Sequence, residues 1–367
     1  MKVGILTFQR AENFGAVLQA FALQTFLENK GCDVSIIDYR NKSIEAMYDI
    51  YNPRILITRK NIFASLRLYV QRFKNIQDRQ ICKNKYKEFR KNFFHQTHKT
   101  NSIASLANEF DCIIAGSDQI WNLHLTGGFD KNYFLDFSKK SSMRKISYAV
   151  SAEKDPCNLL YQHKEEVTKL LNDFDYLSVR EDFFKKELEK YTEKEIQLCL
   201  DPTFLLDSSL YKNIAPQRVE LKYILVYHMT PIPLGTMLAE KIAASKGWKI
   251  IEIHIGYGLG TSDERHKINL GPLEILNYIM EAQEVITSSF HGLALSLISR
   301  KNVWVINKGN NLRQRNLLLL LGIEERMLTK LADYKDHEIN YSEVKKKLDI
   351  QINKSKEFIH HAIFSEK

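Results

Sequence analysis

Long hydrophobic runs are missing from this chain of 367 residues. No run is longer than five residues, the length of the leucine run at 317–321, whereas a membrane-spanning helix needs about 20 apolar residues. The first apolar stretch meets Gln9 and Arg10 at once, so it is too short for the core of a signal peptide and reads as a first strand. With 44% hydrophobic and 26% charged residues, the composition is typical of a globular protein with a real core.

Cysteine is scarce as well. Five cysteines are scattered at positions 32, 82, 112, 157 and 199, and no Cys-x-x-Cys motif occurs. An odd and scattered set of this kind indicates neither a disulfide framework nor a cysteine-type metal site. We predict reduced, mostly buried thiols in a cytoplasmic protein that needs no metal and no cofactor.

Acidic residues are sparse between positions 54 and 100, where thirteen Lys and Arg accompany only Asp78 and Glu88. This segment therefore carries a net charge of +11, more than the +9 of the whole chain. Its apolar residues recur at helical spacing, which predicts a basic helical hairpin inserted in the first domain with its cations outward. The charge indicates either a solvated face or an acidic partner; we predict a lipid-pyrophosphate or the inner face of the cytoplasmic membrane, and no nucleic acid.

What the sequence does contain is an alternation of short β-branched runs and amphipathic helices, which predicts an α/β fold with parallel sheets. Residues 1–41 read as a strand, a helix and a second strand. The turn between the first strand and the helix includes Asn13 and Gly15, and it is a candidate site loop because it follows a strand end. It lacks the Gly-x-Gly-x-x-Gly spacing of a dinucleotide-binding fingerprint.

Further strand ends carry polar residues in the middle of the chain. Ser117 and Asp118 follow a buried strand, with Trp121 one turn later, and this combination suits either a sugar site or a capped turn with a core tryptophan. The next strand ends present Ser151, Arg180 and Asp201. Arg180 is a candidate for gripping a carboxylate or phosphate; the alternative is a structural ion pair with Asp201.

An irregular, proline-containing stretch at 206–221 predicts a domain boundary. We expect a first domain over residues 1–210, a second α/β domain over 211–340, and a helix within 341–367 that packs back on the first domain. Apolar residues of that helix, from Val344 to Ile363, form one stripe that needs a partner.

The stretch 284–298 in the second domain combines a β-branched strand, a hydroxyl-rich turn and an apolar helix. Ser288, Ser289 and His291 occupy the turn at the start of the helix, where free N–H groups favour anions. Histidine is the side chain best suited to proton transfer near neutral pH, although a histidine here can also simply cap or pack on its helix. Lys308 and Arg313 follow the next strand and offer cations.

Taken together, these motifs resemble the polysaccharide pyruvyl transferase family. The matching segments are residues 4–8, 13–19, 116–122, 178–181, 201–206 and 285–292, followed by Arg313 and its Leu-Leu-x-x-Leu-Gly run. They occur in the family's order over roughly residues 1–325. The resemblance implies two Rossmann-like domains facing a cleft, similar to GT-B glycosyltransferases.

The resemblance also implies a reaction, in which phosphoenolpyruvate donates a pyruvyl group to a sugar diol and forms a cyclic pyruvate ketal in surface or exopolysaccharide biosynthesis. The acceptor is a saccharide or a lipid-linked saccharide. For this reaction we predict His291 as general acid/base and Asp118 as the carboxylate that stabilises positive charge, with Asp201 as the alternative. The other residues above are predicted to bind substrate, and all are expected to line one cleft.

Relatives studied as enzymes often have Arg-x-His where this chain has Ser289-Phe-His291. That departure keeps two alternatives open: a GT-B glycosyltransferase that uses a nucleotide sugar, and a non-catalytic carbohydrate-binding protein of a polysaccharide assembly complex.

Overall fold

The computed structural model describes residues 1–49, 76–138, 140, 142–152, 160–215, 221–228, 232–254, 263–307, 309 and 311–365. The chain divides into two compact units. The first unit comprises Met1–Tyr48, Arg90–Leu206 and Leu348–Lys367, and the second comprises Asp49–Phe89 and Asp207–Lys347. Each unit is built around one parallel sheet of six strands.

The sheet of the first unit has the strand order β2-β1-β3-β4-β5-β6. Its strands are β1 (Lys2–Leu6), β2 (Asp33–Ile36), β3 (Cys112–Asp118), β4 (Arg144–Val150), β5 (Leu177–Val179) and β6 (Ile196–Leu198). All seven residues of β4 are buried, as expected for a strand with both faces covered.

The sheet of the second unit has the order β12-β11-β10-β7-β8-β9. Its strands are β7 (Tyr223–His228), β8 (Lys249–His254), β9 (His266–Lys267), β10 (Glu284–Thr287), β11 (Asn302–Ile306) and β12 (Met327–Leu328). Counted from β7, this is the 3-2-1-4-5-6 order of the Rossmann fold.

The described helices surround these sheets. In chain order they are α1 (Phe14–Glu28), α2 (Lys42–Tyr48), α3 (Ile76–Phe93), α4 (Leu123–Thr126), α5 (Lys164–Asp173), α6 (Asp182–Leu188), α7 (Ser208–Ile214), α8 (Pro233–Lys246), α9 (Pro272–Glu281), α10 (Phe290–Ile298), α11 (Leu312–Leu321) and α12 (Tyr341–Phe364). The predicted α/β class with parallel sheets is thereby confirmed.

Strand order reverses once in each sheet, between β1 and β3 in the first unit and between β7 and β10 in the second. At such a switch point the connections leave towards opposite faces, so the carboxyl ends of the two strands border a crevice where α/β proteins bind ligands. Asn13 lies in the turn after β1, Ser117 near the carboxyl end of β3, and Ser289 in the turn after β10, so three of the predicted site residues lie at switch points.

The basic segment differs from the prediction. Residues 50–75 lie outside the described part of the chain, so the predicted hairpin is tested only by α3. The units place Asp49–Phe89 with the second unit rather than the first, because Lys85 pairs with Glu274 and Asn269 donates to Asp78. The cations are not all outward either: Arg90 is 7% exposed.

The carboxyl-terminal helix α12 was predicted to pack on the first domain. Its later residues contact that unit: Ser355 Oγ accepts from the backbone N–H of Leu200, and the ring of Phe358 lies 6.3 Å from that of Tyr148. Arg144, which is buried, donates through Nη1 to the carbonyl of Ala362 at 2.8 Å. The earlier residue Tyr341 donates to the carbonyl of Lys301 in the second unit. The helix therefore contributes residues to both units.

Four cysteines lie in the described part of the chain, and all four are free thiols. Cys32, Cys112 and Cys199 are buried, whereas Cys82 is half-buried. Burial raises the pKa of the Cys199 thiol to about 12, so it stays protonated near neutral pH. Among the described helices none is long and apolar enough to cross a bilayer.

Candidate functional site

Hydrogen bonds connect the two strands that border the switch point of the first unit. Thr7, just after β1, donates its hydroxyl to the carbonyl of Ser117 at 2.9 Å and accepts from Gln19 of α1 at 2.8 Å. Asn13 caps α1, its Oδ1 accepting from the backbone N–H groups of Gly15 and Ala16. Gly15 is itself buried in the first turn of α1. The predicted loop is thus tied both to the helix N-terminus and to the end of β3.

A buried network joins the ends of β3, β4, β5 and β6. Ser117 donates to Asp201 Oδ2 at 3.2 Å, and Arg180 Nη1 donates to the same oxygen at 2.6 Å. Arg180 Nε donates to Glu181 Oε1 at 2.9 Å, which also accepts from Ser151. The Arg180 side chain is 4% exposed. The structure therefore shows the ion pair with Asp201, and a ligand-gripping role for Arg180 stays a prediction.

Three nearby carboxylates stabilise the positive charge of the Arg180 guanidinium. Burial alone would lower the pKa of this guanidinium, but the nearby carboxylates of Glu181, Asp201 and Asp118 raise it. Asp118 ends β3 with a φ of 72°, the left-handed region that costs a non-glycine residue of order 1 kcal/mol or more. Such strain persists where the surroundings impose it, and it is concentrated at functional sites. Asp118 keeps its place as a candidate for that reason.

Trp121 is not a ligand-binding residue. Its side chain is fully buried, one face stacks on Phe134 at a centroid distance of 4.7 Å, and its indole N–H donates to the carbonyl of Tyr133. No face remains for a sugar, so the core alternative is the correct one and the sugar-stacking prediction is wrong.

A cluster of arginines beside this crevice was not predicted. Arg10 follows β1 and pairs with Asp38, which follows β2 and also pairs with Arg40. Burial, together with the positive charge of Arg10, lowers the pKa of Arg90 to about 10. Neither Arg10 nor Asp38 was predicted as a site residue, because an isolated charged residue at a strand end gives no signal of its partners.

In the second unit, too, a threonine hydroxyl connects the two strands at the switch point. Thr287, the last residue of β10, donates to the carbonyl of Tyr227 on β7 at 2.7 Å and accepts from the backbone N–H of Ser289 at 3.0 Å. Ser289 then caps α10, its Oγ accepting from the N–H of Gly292 at 3.2 Å. Ser289 is thus engaged as a helix cap. The turn is rigidly placed at the switch point between β7 and β10.

His291 lies in the first turn of α10 and is only 6% exposed. Its ring packs edge-on against that of Phe290 at a centroid distance of 5.3 Å. These contacts agree with the alternative in which the histidine packs on its helix, and its proton-transfer role stays a prediction. The surrounding helix is apolar and fully buried from Phe290 to Leu297, so the imidazole lies in a water-poor environment.

A hydrogen bond connects the start of α11, which follows β11, to the turn after β10. Gln314, in the first turn of α11, donates to the carbonyl of half-buried Ser288 at 2.8 Å. Arg313 precedes it and is half-buried. Lys308 lies outside the described residues. The structure thus brings the turns of Ser288 and Arg313 together through Gln314, a residue that sequence reasoning did not select.

Gly292, in the first turn of α10, has no room for a larger side chain. A Cβ there would lie 2.6 Å from Thr287 Oγ1 and 3.0 Å from Tyr227 Cδ1. We expect Gly292→Ala to lower the free energy of unfolding by about 1–3 kcal/mol, the usual cost of overpacking, measured by urea denaturation.

The cause is tested by repeating that substitution in a Thr287→Ala background. Removing the clashing Oγ1 should at least halve the added cost of Gly292→Ala, because the two side chains then no longer meet. Equal costs in both backgrounds would contradict a clash with Thr287.

The model of the family described as polysaccharide pyruvyl transferase matches residues 13–310. No curated protein sequence matches the chain. Among solved structures, the chain is similar to a UDP-GlcNAc 2-epimerase from Methanocaldococcus jannaschii, with 11% identity over 96% of this chain and 93% of that chain and a TM-score of 0.44. It is similar to a UDP-GlcNAc 2-epimerase from Neisseria meningitidis, with 10% identity over 99% of this chain and 94% of that chain and a TM-score of 0.45. It is also similar to the E. coli heptosyltransferase WaaC, with 12% identity over 99% of this chain and 100% of that chain and a TM-score of 0.39.

The family match covers well over half of the sequence and includes the predicted site residues Asn13, Ser117 and His291. The chain belongs to the polysaccharide pyruvyl transferase family.

Proposed function

We propose that this protein transfers a pyruvyl group from phosphoenolpyruvate to two hydroxyls of a saccharide, forming a cyclic ketal and releasing inorganic phosphate. The observation that carries the proposal is the family match over residues 13–310. It is supported by the histidine-containing turn at the switch point of the second unit, where α/β proteins bind ligands.

The reaction needs little more than proton transfer and charge stabilisation. A proton adds to the methylene carbon of the donor, and the first sugar hydroxyl attacks the central carbon and loses its proton. The C–O bond to phosphate then breaks, and the second hydroxyl attacks the same carbon and loses its proton. The two protons released by the hydroxyls balance those taken up by the methylene carbon and by the departing phosphate.

In this proposal His291 is the proton-transfer group. A buried imidazole at a helix N-terminus is held in one orientation by its packing, and water is largely excluded from it, both of which favour a defined proton transfer. Arg313 supplies positive charge for the anionic donor, together with the N-terminal N–H groups of α11. The roles of Asp118 as the stabilising carboxylate and of Lys308 as a further cation stay predictions.

The acceptor is proposed to be a saccharide or lipid-linked saccharide. Peripheral contact with an anionic membrane surface is proposed from the exposed cations Lys87 and Lys91 of α3.

The proposed function is tested by phosphate release. Full-length protein, phosphoenolpyruvate and a panel of saccharides that offer vicinal or 1,3-related diols are incubated, and phosphate is measured together with the mass of the sugar product. We expect phosphate and ketal in equal amounts, with the sugar heavier by one pyruvate less one water.

Two controls accompany this assay. A monohydroxy analogue of the active saccharide should give no ketal, because ring closure needs the second hydroxyl. Nucleotide-sugar turnover on the same panel, with no use of phosphoenolpyruvate, would contradict the proposal and favour a glycosyltransferase.

A further inference from the structure

Three potential metal ligands converge on one face of the second sheet, on the strands β8 and β9. Glu252 and His254 are separated by one residue on β8, so their side chains point to the same face. His266 of β9 is the direct cross-strand partner of Glu252. One ligand atom from each residue lies within 4.8 Å of the other two. Sequence inspection found no such cluster, because His266 is twelve residues from His254 and only strand pairing joins them.

The two imidazoles are already close together. His254 Nε2 and His266 Nδ1 are 2.8 Å apart, and Glu252 Oε2 is 4.0 Å from His254 Nε2. With metal–nitrogen bonds of about 2.0–2.1 Å, tetrahedral ligands lie about 3.3 Å from each other. These two separations therefore have to change by about 0.5 and 0.7 Å, which small side-chain rotations supply.

The carboxylate is held in place from its other side. Arg265 donates to Glu252 Oε1 through Nε at 2.8 Å and through Nη2 at 2.6 Å, and it also pairs with Glu240. These bonds orient Glu252 so that its second oxygen is the one nearer the histidines. In known metal sites, residues that hydrogen-bond to a metal ligand fix its orientation. Arg265 does the same for the carboxylate of Glu252. Two carboxylates on one guanidinium leave this group of side chains with no net positive charge.

We infer that Glu252, His254 and His266 bind a divalent first-row transition metal such as Zn²⁺. Two imidazoles and one carboxylate are the donor set of such ions, whereas Ca²⁺ and Mg²⁺ prefer oxygen ligands throughout. Binding would displace the proton shared between the two rings and would link the edge strand β9 to β8. The inference does not depend on pyruvyl transfer.

The test uses chelator-treated full-length protein. Zn²⁺ is titrated by calorimetry, and Co²⁺ is added in parallel because its visible bands report the ligands. We expect one tightly bound Zn²⁺ per chain, no binding of Mg²⁺ at the same concentration, and a higher melting temperature in the presence of Zn²⁺.

Variants assign the ion to the cluster. His254→Gln and His266→Gln should each weaken Zn²⁺ binding at least 100-fold, and Arg265→Gln should weaken it about 10-fold or more by releasing Glu252. His360→Gln, on exposed helix surface, is the matched control and should bind normally. If His254→Gln does not fold, His266→Gln and the wild-type Co²⁺ spectrum still decide. Absence of binding by the wild type, or unchanged binding by folded cluster variants, overturns the inference.

Discussion

Replacing His291 by Asn should lower turnover about 10²–10⁴-fold, the usual contribution of a general acid–base group. Asn keeps a polar side chain of similar shape but cannot take up or release a proton near neutral pH. The donor's KM should change much less than kcat, because His291 is proposed to act on protons and not on the donor's charge. Steady-state kinetics with an active acceptor measures both constants.

Because His291 is buried, its variant also needs a control for stability. Leu297→Ala, at a 2% exposed position of the same helix, removes apolar packing and should cost about 2–5 kcal/mol of unfolding free energy. If it remains folded at the assay temperature, its kcat should stay within about threefold of normal, since it removes no proton-transfer group. A folded His291→Asn protein with normal kcat would exclude His291 from the chemistry.

Arg180→Ala should be among the most destabilising single substitutions in the first unit. It leaves the carboxylates of Asp201 and Glu181, which are 0% and 1% exposed, without their shared cation. Removing one partner of a buried ion pair typically costs about 3–5 kcal/mol. Arg180→Lys should recover only part of this, because an ammonium cannot reproduce the two directed contacts of the guanidinium. The measurement is urea denaturation followed by circular dichroism.

The exposed pair of Lys186 with Asp182 on α6 provides the contrast. These side chains are 71% and 53% exposed, and such pairs contribute little, so Lys186→Ala should leave the unfolding midpoint unchanged. An unaltered midpoint for Arg180→Ala together with a raised KM for phosphoenolpyruvate would instead make Arg180 a ligand-binding residue.

Local patterns were sufficient to predict most of the regular elements. The strand, helix and strand predicted within residues 1–41, and the strand and helix predicted within 284–298, occur in the structure, because each has a continuous apolar pattern. The two-residue strands β9 and β12 were missed, since two residues carry no periodicity and their pairing depends on neighbours distant in sequence.

Site residues were harder to predict for the same reason. The sequence marked Trp121 as a polar-turn aromatic, but the stacking of Phe134 that buries it is a tertiary contact. The hydroxyls of Thr7 and Thr287 each cross a switch point to a neighbouring strand, and no local pattern reveals that partner. His291 was found because its turn lies between an unmistakable strand and helix, whereas its burial depends on packing around α10.

Because α12 contributes residues to both units, it has a consequence for biosynthesis. Arg144 is buried in the first unit, yet its carbonyl acceptor belongs to Ala362, more than two hundred residues later. During translation, most of the first sheet therefore leaves the ribosome well before the helix that satisfies this guanidinium. The nascent first unit must wait with an incomplete surface while the second unit is made, and neither unit corresponds to one continuous fragment that can be expressed alone.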